Sequence, residues 1–146
     1  MLPLIQAIAV LAATFFAGAA VYINLVEHPA RMGCSTEIAA TVWAPSYHRA
    51  TFMQASLAIA GSLSGVAAWT LGSGLPWLVG ALFIFAVVPV TLIVIFPTNN
   101  RLLEPQRDFR SDETRALLIK WGRLHAIRSA LAVIASVIYV SQLVRG

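Results

Sequence analysis

The sequence is poor in charge, in cysteine and in histidine. Only 11% of its 146 residues are charged, and only six of them are acidic. An ordinary soluble domain carries about 25% charged residues, so a water-exposed globule is excluded. The single cysteine, Cys34, excludes an intrachain disulfide and a cysteine-based metal centre. The three histidines, His28, His48 and His125, include no pair at i, i+3 or i+4. With no HExxH or CxxC, no metal-site signature is present. The ten basic residues give a net charge of +4, which would suit nucleic acid. Their placement follows membrane topology instead, so no nucleic-acid partner is expected.

What is present is apolar. The chain is 59% hydrophobic with a mean hydropathy of +0.80. Four predominantly apolar spans cover residues of about 3–26, 50–71, 76–97 and 122–144, the first three without charge. Each is long enough to span a bilayer as a helix. The first lacks the basic leader of a signal peptide, and its apolar run is too long for one. The expected fold is all-α: a single integral membrane domain, 1–146, built as an up-down bundle of four transmembrane helices. The short link "GSGLP" makes the second and third helices antiparallel neighbours. Gly61 and Gly65 form a GxxxG stripe for close helix packing. Pro89 should kink the third helix. Trp69 and Trp77 read as an interfacial aromatic belt.

Orientation follows from the basic residues. Nine of the ten, from Arg31 to Arg128, lie around the linkers after helices one and three; only Arg145 lies opposite. The positive-inside rule then puts both linkers in the cytoplasm and both termini outside the inner (plasma) membrane.

The two halves of the chain read alike. "VEHPAR" is followed by Ser35, Glu37 and "WAPSYHRA"; "IFPTNNR" is followed by Ser111, Asp112, Glu113 and "WGRLHAIR". Each half is an apolar span, a proline turn, an arginine, a serine N-cap with acids in its first turn, and a tryptophan. A duplicated two-helix hairpin would produce this pattern.

The consequence is that the polar and aromatic residues gather at one end. Helix one ends with Tyr22, Asn24, Glu27 and His28. Helix two enters with Trp43, Tyr47, His48 and Arg49, and helix three ends at Pro97, Asn99 and Asn100. Helix four enters with Trp121, His125 and Arg128, spaced i, i+4 and i+7 on one face. The 16 uncharged residues from Ser129 to Val144 are too few to span the membrane, which draws Arg128 into it. There it either snorkels to the headgroups or lines an inward polar site.

Such a cluster supports two chemistries. A metal or haem would need His28 and His125 to converge, with Glu27 as a third ligand. A cofactor-free base is the alternative: His125, or His28, takes a proton from a carbon acid, and Arg128 and Asn99 hold the resulting oxyanion. Trp121, Trp43, Tyr47 and Tyr22 would bind a flat lipophilic small molecule arriving from membrane lipid.

"EHPA" (Glu27 to Ala30), Trp43 with Tyr47, "PTNNRL" (Pro97 to Leu102) and "WGRLHAIR" (Trp121 to Arg128) resemble the small four-helix membrane family that includes the anthrone oxygenases. The resemblance covers essentially the whole chain. It implies oxidation of an anthrone to an anthraquinone by molecular oxygen, without flavin or haem. Carried over by position, it gives His28, Asn99, Trp121, His125 and Arg128 as the site. The rival readings are a metal- or haem-binding redox protein and a non-enzymatic membrane or transport partner, including a homo-oligomer. A transporter usually sets polar groups near mid-membrane, where this sequence is nearly bare.

Overall fold

The computed structural model describes residues 1–145. Four helical rods carry almost all of them: α1 (Leu2–Met32), α2 (Thr36–Ser73), α3 (Leu75–Leu102) and α4 (Asp112–Arg145). No strand occurs among the described residues. Each rod is long and apolar enough to cross a membrane. α1 packs on α2 and α4, and α3 packs on the same two rods. Consecutive rods are therefore neighbours, and the fold is the four-helix bundle the sequence implies. Leu11, Phe15, Leu63, Leu82 and Val137 point outward, as a bilayer allows.

The rods overrun the apolar runs. The connecting segments are only 33–35 and 103–111, so most of the polar sequence after the first and third spans is helix. Serine capping explains it. Ser35 Oγ accepts from Ile38 N–H at 3.4 Å, and Ser111 Oγ accepts from Thr114 N–H at 3.2 Å. Glu37, Asp112 and Glu113 add negative charge where the helix dipole favours it. Pro45 sits inside α2 without ending it.

Three turns are widened: Trp69–Ser73 at the end of α2, and two that lead directly into a proline. Pro29 has no N–H to give the Leu25 carbonyl, and its ring crowds that oxygen. The turn Ile23–Glu27 opens to π geometry, and His28 N–H bonds to Ile23 O, five residues back. Val90–Ile95 opens in the same way before Pro97, with Phe96 N–H bonding to Thr91 O. The two half-chains thus share this feature as well as the serine caps.

Small residues close the bundle. Ala17, Ala20, Ala58, Ala132 and Ala135 surround Phe16, Ile84 and Val87 in the middle layer. At the far end Tyr139 occupies a slot between Gly65 and Gly80, where a Cβ on either glycine would strike the ring. Its hydroxyl donates to Gly61 O at 3.0 Å. Trp77 stacks on Tyr139 with ring centres 5.2 Å apart and is buried. It is a core residue; of the expected interfacial pair only Trp69 is exposed. Gly72 and Gly74 adopt φ of +91° and +93° in the reversal between α2 and α3, a region that favours glycine.

Candidate active site

The opposite end of the bundle contains a small polar pocket between α1, α2 and α4, with a cavity volume of about 30 Å³. α1 contributes Ile23, Glu27 and Arg31; α2 contributes Ser46, Tyr47, Ala50, Thr51 and Gln54; α4 contributes Trp121, His125 and Arg128. The i, i+4, i+7 spacing on α4 does place its three residues on one inward face. His125 is 1% exposed and Arg128 8%, so neither side chain reaches out to solvent.

His125 is held by α1. Its Nδ1 lies 2.8 Å from Asn24 Oδ1. The amide is oriented by its other end, since Asn24 Nδ2 donates to Gly122 O at 3.0 Å. Asn24 Oδ1 also accepts from Ser129 Oγ–H at 2.6 Å. An amide oxygen only accepts, so the proton of a neutral imidazole sits on Nδ1 and the lone pair on Nε2. The widened turn Ile23–Glu27 contains Asn24. Such turns recur at functional sites.

Arg128 is a buried cation with neutral partners. Its Nη2 donates to Gln54 Oε1 at 2.8 Å, and its guanidinium carbon lies 5.5 Å from the centre of the Phe16 ring. Arg128 Nε and Gln54 Nε2 are buried without a hydrogen-bond partner. The one acid of the pocket, Glu27, is paired with Arg31 one turn along α1. The pocket therefore carries net positive charge and two free N–H donors. That combination suits a ligand oxygen that is, or becomes, negative.

Aromatic rings close the pocket. Trp121 lies 4.9 Å from His125 and 5.7 Å, edge-on, from Trp43. Trp43 stacks on Tyr47 at 5.0 Å. Tyr47 and Trp121 line the pocket, with Trp43 buried behind them. His28 packs on Trp121 at 5.2 Å. It looks into a separate groove between α1 and α4, lined by Asn24, Met32, Arg115 and Gly122 among others. Gly122 makes room for it: a Cβ there would stand 2.5 Å from His28 Nε2. Asn99 is buried in α3 with Oδ1 unpartnered, and is not part of the lining that holds Arg128. Tyr22 faces outward, 55% exposed, and His48 is exposed beside Tyr47.

Among the described residues, no three His, Cys, Asp or Glu side chains are grouped to hold a metal ion. His28 and His125 pack on the same Trp121 ring and line different cavities.

Sequence reasoning gave Asn24 and Gln54 no role, and a signal existed for both. Gln54 is the only amide side chain in α2, and Asn24 stands in the apolar run of α1. Polar groups at such depth are costly and usually functional.

The chain matches the family model described as anthrone oxygenase over residues 43–138. It is 30% identical to the anthrone oxygenase tpcL of Aspergillus fumigatus, over 96% of this chain and 93% of that protein. It is 28% identical to the anthrone oxygenase AgnL2 of Paecilomyces divaricatus, over 91% of each. Against the anthrone oxygenase nsrD of Aspergillus novofumigatus, identity is 31% over 60% of this chain and 59% of that protein. No solved structure gives a significant match. The chain is a member of the anthrone oxygenase family.

Proposed function

We propose that this protein oxidises a lipophilic, anthrone-type substrate with molecular oxygen, using His125 as base and no metal, haem or flavin. One observation carries the reading: an oriented imidazole and an uncompensated guanidinium line the same buried pocket.

His125 Nε2 takes a proton from the methylene carbon flanked by two aromatic rings. The electron pair delocalises onto the substrate's carbonyl oxygen, which Arg128 and Gln54 receive as an oxyanion. The carbanion passes one electron to dioxygen, and the resulting radical and superoxide join at that carbon. The peroxide anion takes its proton from the His125 imidazolium. Loss of the second methylene proton then breaks the O–O bond and expels hydroxide, which is protonated to water. One dioxygen is consumed, and the products are a quinone carbonyl and one water. Trp121 and Tyr47 supply ring faces for the flat substrate.

The same reading places the pocket near the cytoplasmic face of the plasma membrane, with both termini outside. Support comes from the nine basic residues around the 33–35 and 103–111 linkers against Arg145 alone. Reporter fusions at the two termini should give signal outside the cytoplasm, and cytoplasmic signal would reverse the orientation.

Oxygen uptake by purified protein in detergent, with 1,8-dihydroxyanthrone, tests the chemistry. Uptake should exceed spontaneous oxidation, and His125→Ala should reduce it to that background while the helical spectrum is unchanged. Wild-type turnover by His125→Ala would remove His125 as the base.

A further inference from the structure

A second cavity adjoins the polar pocket. It lies between α2 and α3, has a cavity volume of about 150 Å³, and has walls of Phe16, Ala58, Val87, Val88 and Thr91. That is less than the roughly 300–1,000 Å³ of ordinary closed small-molecule sites, so a ligand of several fused rings would extend through its open mouth. Its rim includes Ala55 and Leu92, both exposed on the outer surface of the bundle, where the lipid would be. Its inner end is formed by Gln54 and Arg128, which line the polar pocket as well. Thr91 belongs to the widened turn Val90–Ile95, so the loosened stretch of α3 forms part of the wall.

We propose that this cavity is a binding chamber open sideways to the bilayer. Its ligand is a flat aromatic molecule carrying an acidic hydroxyl or carbonyl oxygen, which the Arg128–Gln54 pair receives. The proposal deepens the oxygenase reading, and rests on it for the fate of the ligand but not for its binding. Two observations define the ligand. The walls are apolar and exclude a charged molecule. The end wall is a guanidinium without a carboxylate, beside an amide whose Nε2 has no partner. A pure hydrocarbon would leave both donors unsatisfied, at a cost an oxygen atom removes. The shared end wall also joins the two cavities, so a ligand oxygen held at Arg128 stands at the boundary between them.

The probe is 1,8-dihydroxyanthraquinone, which cannot undergo the proposed oxidation, bound to protein in bilayer nanodiscs and followed by its fluorescence. Anthracene serves as the oxygen-free comparison. Ala55→Trp and Leu92→Trp, both on the exposed rim, should each weaken quinone binding about tenfold, whereas Val137→Trp on the outer face of α4 should not. Gln54→Leu should weaken quinone binding about tenfold, the equivalent of one hydrogen bond to an ionised or strongly polar group, and leave anthracene unaffected. Equal binding of quinone and anthracene, or quinone binding insensitive to both rim variants, would overturn the chamber. If the binding pattern holds while the native protein consumes no oxygen with 1,8-dihydroxyanthrone, the chamber stands and the oxygenase reading falls.

Discussion

Asn24→Leu is expected to damage catalysis through His125 without touching the substrate. The amide makes three hydrogen bonds, at 2.8 Å with His125 Nδ1, 2.6 Å with Ser129 Oγ and 3.0 Å with Gly122 O. Two of the three are cheap to lose. Gly122 O keeps its place in the helix ladder, and Ser129 can turn to a carbonyl of its own helix. His125 has no such substitute. A buried N–H left without an acceptor costs about 1–3 kcal/mol, and the imidazole escapes that cost by rotating or by moving its proton to Nε2. Either response removes the Nε2 lone pair from the pocket. At 1.4 kcal/mol per decade, kcat should fall about ten- to a hundredfold, with KM little changed because Arg128 and Gln54 are untouched. Asn24→Asp keeps the acceptor and should recover most of the loss. Steady-state oxygen uptake over a range of 1,8-dihydroxyanthrone concentrations separates the two constants. Asn24→Leu at wild-type kcat, or Asn24→Asp no better than Asn24→Leu, would refute the tautomer assignment; a loss confined to KM would do the same.

Other perturbations test separate parts of the structure. Gly122→Ala puts a methyl 2.5 Å from His28 Nε2, so the ring must leave Trp121, and overpacking should cost about 1–3 kcal/mol; thermal unfolding in detergent should show a lowered midpoint, and an unchanged one would refute the packing. Glu37→Gln removes the ion pair with Arg110. That pair raises the Arg110 guanidinium further above its ordinary pKa, chiefly through its hydrogen bonds to Glu37, but it is water-exposed and screened. The unfolding midpoint should fall only slightly, by the Glu37 share of the helix-dipole stabilisation, and oxygen uptake should not move; a clear drop in uptake would show that the 103–111 linker matters to the site. Treatment with a strong chelator should leave oxygen uptake unchanged, and the purified protein should show no Soret band; loss of activity restored by one metal would move the chemistry to the metal.

The bundle was legible because membrane helices obey a simple rule: uncharged length. Their true extent was not, because the spans were bounded by apolar length, at about 50 and 122, while Ser35 and Ser111 start the helices well before those limits. The α4 half of the site was legible for a similar reason, since one face of one helix is fixed by residue spacing. Its partners were not. Which side of α1 meets α4 depends on the widened turn at Ile23–Glu27, and that rotation leaves no periodic trace in the sequence. Asn24 therefore carried no assigned role, and Gln54, which lies 74 residues before Arg128, could be paired with it only by the packing of α2. Asn99 shows the same limit from the other side: its residue type suited an oxyanion partner, while the lining that holds Arg128 is drawn from α1, α2 and α4.

Arg128 poses the sharpest energetic question. A snorkelling arginine would extend along the helix toward the headgroups, but this one turns inward to Gln54 and the Phe16 ring and is only 8% exposed. Burying a cation against neutral partners costs several kcal/mol that one amide hydrogen bond does not offset. The resting fold would be better served by an apolar side chain there, so the guanidinium is a burden on stability unless a negative oxygen joins it. Replacing both members, Arg128→Met with Gln54→Leu, removes the charge and the amide it would otherwise strand. Exchanges of this kind are often neutral or stabilising by about 1–4 kcal/mol. The double variant should therefore unfold at the same or a higher temperature than the native protein while oxygen uptake falls to background. Marked destabilisation would mean that the pair holds the bundle together, and full turnover would mean that no oxyanion is stabilised there.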